Sequence, residues 1–209
     1  MACNSQFDRI MRDCRITLPG ALDDAIKQEF FNAADEFFKF THIWQELISL
    51  GVDAGQKIYD LDSNEWVAVI DILMGVYTDT QIPVLATMST PGVLELVYAP
   101  SDGAVYNVGV ALTVADCAVG QCGCGNASCS QGFPQVPQWI LQAYRETFKD
   151  GVLCRMMSQL AKPYYNEKLA IYHGQRFRNG MATARMQAMR HNLFNNQAWV
   201  FPYFASGRR

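Results

Sequence analysis

The chain has 209 residues, half of them hydrophobic and 12% aromatic, with 17 Lys and Arg against 20 Asp and Glu for a formal net charge of -3. At this length roughly 70% of the unfolded surface can be buried on folding, so one sizeable core is expected. No apolar run approaches the ~20 residues that a membrane-spanning helix requires, and the opening MACNSQFDRIMRDCR carries acids where an export signal needs an apolar stretch, which predicts a soluble protein retained in the cell that makes it. The seven Cys are an odd number, and in that compartment they are expected to stay mostly reduced.

In chain order, a polar opening leads to Leu18-Pro19-Gly20, a turn signal. From Ala21 to about Phe40, Leu22, Ile26, Phe30, Ala34 and Phe37 recur at helical spacing, while Phe31 and Phe38 on the far side predict a helix covered on more than one face. Residues 1–40 are therefore read as an N-terminal segment with its helix. From Thr41 the period changes. His42-Ile43-Trp44, Lys57-Ile58-Tyr59 and the β-branched run from Trp66 to Tyr77, broken by Asp71, read as strands. Val93 to Tyr98 and the alternating stretch Tyr106, Val108, Val110, Leu112, Val114 flank Pro100-Ser101-Asp102-Gly103, which predicts a hairpin with one buried face. The span 41–115 is thus a β-rich, sandwich-like middle. A Gly-, Ser- and Cys-rich loop covers 116–136.

Pro137, suited to a first helical turn, opens a helix to about Leu160 that buries Leu141, Tyr144, Phe148, Val152 and Met156. Gly151 inside it sacrifices about 1 kcal/mol of helix propensity relative to Ala, which points to a close helix contact there. Lys162-Pro163 breaks the chain, and Asn166 caps a further helix to about His191, with Leu169, His173, Phe177, Gly180, Ala184 and Ala188 on one stripe. A second stripe, Ile171, Ala182, Met186 and Met189, points elsewhere, flanked by Arg176 and Arg190 on one side and Arg178 and Arg185 on the other. A helix apolar on two sides is expected to be buried on two sides, one by the chain's own core and the other by a further element of the same chain or, the favoured case, by a neighbouring subunit. The two helices of 137–194 read as one hairpin, followed by an aromatic arm, 195–209. The predicted whole is one structural domain of the α+β class.

Charge is distributed unevenly. Residues 1–136 carry six basic residues against seventeen acids, whereas 137–190 carry nine basic residues against three acids. Such asymmetry predicts either self-association, the acidic part of one copy meeting the basic part of another, or a basic surface facing nucleic acid. Arg176, Arg178, Arg185 and Arg190 are the candidate subunit or DNA contacts, joined by Met186 and Met189; solvation of the helix edges is the plain alternative for the arginines.

The catalytic and metal signals are weaker. Cys117, Cys122, Cys124 and Cys129 supply four thiolates for a tetrahedral Zn, but their spacing matches no usual finger or ribbon, and free thiols in a loop explain them as well. No cofactor is expected. Gly120, Gly123 and Gly125 lack the order and the following Lys of a phosphate loop. His42, His173 and His191 are scattered, and His173, on the apolar stripe, is expected to be a hydrogen-bonded core residue. No nucleophile and base pair can be assembled, so a hydrolase is the least favoured class and no enzymatic activity is expected.

Several short motifs carry a resemblance. Asp35-Glu36-Phe37-Phe38 running into His42-Ile43-Trp44-Gln45-Glu46, then Pro137-Gln138-Trp139-Ile140-Leu141 with Tyr144 and Asp150-Gly151-Val152-Leu153, are followed by Lys162-Pro163-Tyr164-Tyr165-Asn166, Leu169-Ala170, Phe177, Ala182 and Arg185, and by Gln197-Ala198-Trp199-Val200-Phe201-Pro202. Together with the order of elements, these resemble the head-to-tail adaptor, or neck, proteins of tailed phages, the group that includes podophage tubular A-type adaptors. The resemblance implies a structural virion protein forming a ring, usually twelve-fold, beneath the portal, with helices around the channel for genomic DNA and the β-rich part against the next tail or nozzle protein. It also implies assembly in the host cytoplasm, no membrane partner, and a C-terminal arm whose Trp199, Phe201, Tyr203 and Phe204 grip the portal. The Cys-rich loop departs from that pattern. The rival expectation is a Zn-stiffened nucleic-acid-binding module.

Overall fold

The computed structural model describes residues 5–61, 67–78, 82–100, 103–115 and 136–190. The class is α+β, with antiparallel sheets between an N-terminal helix pair and C-terminal helices. The opening that reads as polar is a helix, α1 (Ser5–Thr17), and it corrects the expectation of a single N-terminal helix. Its charged residues mask a narrow stripe: Phe7, Ile10, Met11 and Cys14 recur at i, i+3, i+4 and i+7 and are all buried. α2 (Asp23–Thr41) is covered on more than one face, as its pattern predicts, burying Ile26, Phe30, Phe31, Ala33, Ala34, Phe37 and Phe38. Arg15 clamps its first turn through two bonds to Asp23, at 2.5 and 2.6 Å. His42, expected in a strand, instead closes α2 in the left-handed conformation (φ 51°), its N–H donating to the Phe38 carbonyl.

Seven strands follow: β1 (Gln45–Val52), β2 (Ile58–Asp60), β3 (Val67–Thr78), β4 (Pro83–Val84), β5 (Ala86–Thr90), β6 (Val93–Leu96) and β7 (Ala104–Val114). They make two antiparallel sheets, ordered β1-β7-β3-β4 and β2-β6-β5. The expected hairpin does not form. Its two strands exist but lie in different sheets: β7 pairs on both sides, with β1 and β3, while β6 is taken up by β2 and β5. Each strand already has two hydrogen-bonding neighbours, and Pro100, which has no N–H, cannot extend a ladder into the connection. The turn signal therefore marks a crossover between sheets. Nor does β7 have one buried face, because every residue from Val108 to Val114 is buried. The Thr113 hydroxyl donates to Asp35 of α2 at 3.0 Å and ties the central strand to the helical layer. At Asp71 the register of β3 against β7 shifts, and the carboxylate accepts from the N–H of Ile72.

The C-terminal helices return onto α2. The first predicted helix is two, α3 (Gln138–Ala143) and α4 (Arg145–Met157), kinked at Tyr144 (φ -114°, ψ 24°). Tertiary contacts hold that kink: the Tyr144 ring lies 5.4 Å from Phe37, and its hydroxyl donates to Gln187. α5 (Glu167–Met189) is capped as expected, the Asn166 side chain accepting from the N–H of Leu169 at 3.1 Å. The core joins Phe148 to Phe37 (4.7 Å between centroids), Phe30 (5.7 Å) and Phe38 (6.1 Å), and Phe38 to Trp44 (5.4 Å). Gly151 stands at the predicted close contact. A Cβ there would lie 2.9 Å from the Phe177 ring and 3.0 Å from Ala33.

Gly151→Ala is accordingly expected to destabilise the protein by roughly 1–3 kcal/mol, overpacking outweighing the gain in helix propensity. Urea unfolding followed by far-UV circular dichroism measures this; an increase in stability would show that the helices separate without cost.

Candidate functional site

α5 has an inner and an outer face. Inside it buries Ala170, Phe177, Met181, Ala184 and Ala188. One member of the expected stripe differs: Leu169 is 42% exposed, and its neighbour Ala170 takes the inner position. The reason is the tightness of the packing, which admits small residues where a pattern weighted by hydrophobicity favours Leu. Gly180 illustrates it, since a Cβ there would fall 2.4 Å from the Thr147 hydroxyl of α4. The outer stripe is not buried within the chain: Ile171, Met186 and Met189 are 54%, 57% and 64% exposed.

The arginines divide into two groups. Arg176 is neutralised in place, its Nε 3.0 Å from Asp150 of α4 and its guanidinium 5.7 Å from the centroid of Tyr172. The Tyr172 hydroxyl and then the Asp150 charge push its pKa further up. Asp150 is itself buried and also meets Nδ1 of His173 at 2.7 Å, so His173 is the hydrogen-bonded residue its position on the stripe predicts. Asp150 is the site residue that sequence reasoning missed. The available signal was its place three residues after Thr147 and one before Gly151, on the face of α4 that meets α5.

Arg178, Arg185 and Arg190 are exposed, and no carboxylate among the described residues pairs with them; the same holds for Lys162 and Lys168. Arg185 lies over the Phe40 ring of α2 at 5.0 Å. The other basic residues of this region are used inside the fold. Arg145 bonds Asp13 of α1 at 2.5 Å, Lys149 lies 3.9 Å from Glu146, and Arg155 bonds Glu36 of α2. The charge asymmetry along the chain is therefore partly neutralised between α4 and the N-terminal helices of the same copy. Within residues 137–190, what remains is concentrated on α5 and the segment before it.

Beside α5 lies a groove of about 620 Å³, with Gly151, Ala170, Gly174 and Phe177 among its apolar lining and Cys154 on one wall. Burial pushes the Cys154 thiol above its ordinary pKa, with Arg155 and Arg178 opposing the shift, so the group lacks the lowered pKa of an activated nucleophile. Cys14, fully buried, is pushed up to about 12 by desolvation. Among the described residues no group of His, Cys, Asp and Glu is arranged to hold a metal. The candidate metal ligands Cys117, Cys122, Cys124 and Cys129 and the candidate portal contacts Trp199, Phe201, Tyr203 and Phe204 lie outside the described residues. No helix among the described residues is long and apolar enough to cross a membrane. No protein-family model matches the chain, and no curated protein matches it in sequence.

Replacing Asp150 with Ala is expected to lower stability by roughly 1–3 kcal/mol, because it removes a charged acceptor shared by His173 and Arg176. Arg176→Gln, at a side chain 46% exposed, should cost less than about 1 kcal/mol. Equal losses in urea unfolding would mean that the pair acts through Arg176 alone. The raised Cys14 pKa keeps its thiol protonated at pH 8.5, so iodoacetamide should leave Cys14 unmodified in the folded protein and label it in urea, as read by peptide mass mapping.

Proposed function

We propose that this protein is a structural component of a tailed-phage virion, a ring-forming adaptor that joins the portal to the tail around the DNA channel. The single observation that carries the reading is the outer face of α5, which combines an exposed apolar stripe with cations that no carboxylate of the described chain pairs. Exposed apolar residues that recur along one helix mark a contact surface more often than a solvated one. A ring needs two different, complementary surfaces per subunit, because a head-to-tail contact closes when its rotation permits. For the second surface we take the α1–α2 corner, where Ile16 and Leu22 are 78% and 77% exposed. α2 and α4 each pack against both α1 and α5, which favours two separate surfaces on the helical layer.

The sparse exposed arginines suit a channel as well, since passing DNA requires weak, sequence-independent contacts. They also favour the second reading, a nucleic-acid-binding module, which differs in requiring stoichiometric Zn on the Cys117–Cys129 loop and an affinity that falls steeply with salt.

The test is the mass of the protein in solution, alone and mixed with portal rings, by light scattering coupled to size exclusion. A ring-sized species, or a monomer that joins the portal, is the expected outcome. A monomer indifferent to portal and carrying Zn would overturn the adaptor reading. Arg178→Glu with Arg185→Glu, and separately Met186→Glu with Met189→Glu, should each reduce assembly at least tenfold while leaving the circular dichroism spectrum unchanged. Unaltered assembly in both would place the subunit contact away from α5.

A further inference from the structure

The edges of the two sheets are not equivalent. In the larger sheet β4 covers β3 only at Val76 and Tyr77, its first residue is Pro83, and the rest of β3 carries two register shifts. In the smaller sheet β2 is three residues long, and β5 is interrupted between Met88 and Thr90. Prolines, irregularities and shortness keep an edge from accepting another strand. β1 has none of them. It pairs with β7 in unbroken register from Gln45 to Val52, it contains neither Pro nor Lys, and no strand lies on its other side among the described residues.

The bonding to β7 fixes which groups that edge presents. The N–H of Leu112 donates to the Trp44 carbonyl at 2.9 Å. In an antiparallel ladder the residues bonded to one neighbour alternate with those turned away from it. Residues 44, 46, 48, 50 and 52 therefore bond β7, and Gln45, Leu47, Ser49 and Gly51 direct their N–H and C=O groups outward. The space outside them is open: a Cβ at Gly51 would meet nothing within 4 Å, and the Leu47 side chain is 62% exposed.

The strand is also complementary to itself. About a two-fold axis at Ile48, Gln45 faces Gly51 of a second copy and Leu47 faces Ser49, so all four outward residues of each strand fall in hydrogen-bonded pairs. Glu46, the only charged side chain of the strand, then stands opposite Leu50 and away from its own counterpart, and its carboxylate already accepts from the Trp44 indole at 2.8 Å. No other edge described in the molecule offers a second copy a ladder of this length.

We propose that β1 is a dimerisation edge: two copies join β1 to β1, antiparallel about a two-fold axis at Ile48, and their four-stranded sheets become one continuous sheet. The contact consists mainly of about eight backbone hydrogen bonds, two for each hydrogen-bonded pair. With little apolar area it gives a dimer that dissociates on dilution. It uses no residue of α5 and stands or falls independently of the ring reading.

Sedimentation velocity over a dilution series reaching about 1 mM reads the association. The expected result is a dimer at the upper end and a monomer at the lower. Ser49→Pro removes an outward N–H and no bond to β7, and Leu47→Lys places a charge on the edge; each should weaken association at least tenfold with an unchanged circular dichroism spectrum. Position 48 falls in a non-hydrogen-bonded pair, whose Cα atoms stand about 4.5 Å apart, within disulfide reach. Diamide oxidation of Ile48→Cys should accordingly link the substituted peptides of two copies, as read by peptide mass mapping. A monomer at every concentration, or association undiminished in both edge variants, would overturn the proposal. So would a disulfide that joins the substituted position to a native cysteine in place of its counterpart. Association lost in Arg178→Glu with Arg185→Glu but kept in the edge variants would assign the contact to α5, which overturns edge pairing and leaves the ring reading standing.

Discussion

The constraint on which the structure depends is the close approach of α2, α4 and α5 at Gly151. The missing Cβ brings the Phe177 ring and Ala33 against the α4 backbone, and one turn earlier Phe148 fills the space among Phe30, Phe37 and Phe38. Helices held this tightly orient everything else. α5 packs inward through Ala170, Phe177, Met181, Ala184 and Ala188, while Ile171, Met186 and Met189 face outward. The candidate contact surface is in this sense a consequence of core packing.

Electrostatics follow from the same arrangement. α4, central to the layer, directs Arg145 toward α1 and Arg155 toward α2, while Asp150 turns to α5 and receives His173 and Arg176. Charges that look segregated along the chain are interleaved in space around this helix. Among the described residues the cations without a carboxylate partner include Arg178, Arg185 and Arg190 of α5, Lys162 and Lys168, and also Arg9 and Arg12 of α1.

Much of this was legible in the residues, and the exceptions have identifiable causes. The Asn166 cap, the tight contact at Gly151 and the double coverage of α2 are local or periodic signals that survive into the fold. α1 escaped notice because Asp8, Arg9, Arg12, Asp13 and Arg15 lower its average hydropathy while its spacing is correct. The hairpin between β6 and β7 failed because a turn signal records where the chain bends and not which strands become neighbours. The kink at Tyr144 depends on Phe37 and Gln187, both far away in sequence. Of the candidate site, the outward apolar stripe and its arginines were readable from periodicity, whereas the neutralisation of Arg176 required Asp150 on another helix.

The contacts that close the helical layer join distant parts of the chain: Glu36 meets Arg155 across 119 residues, and Asp13 meets Arg145 across 132. During synthesis α1 and α2 therefore emerge long before the helix that covers Phe30, Phe37 and Phe38. At 5–20 residues per second, roughly the rate of chain growth, that interval lasts on the order of ten seconds. Over that time an aromatic helix has only α1 and the early strands for cover. The core around α2 is thus closed only once the C-terminal helices have been made.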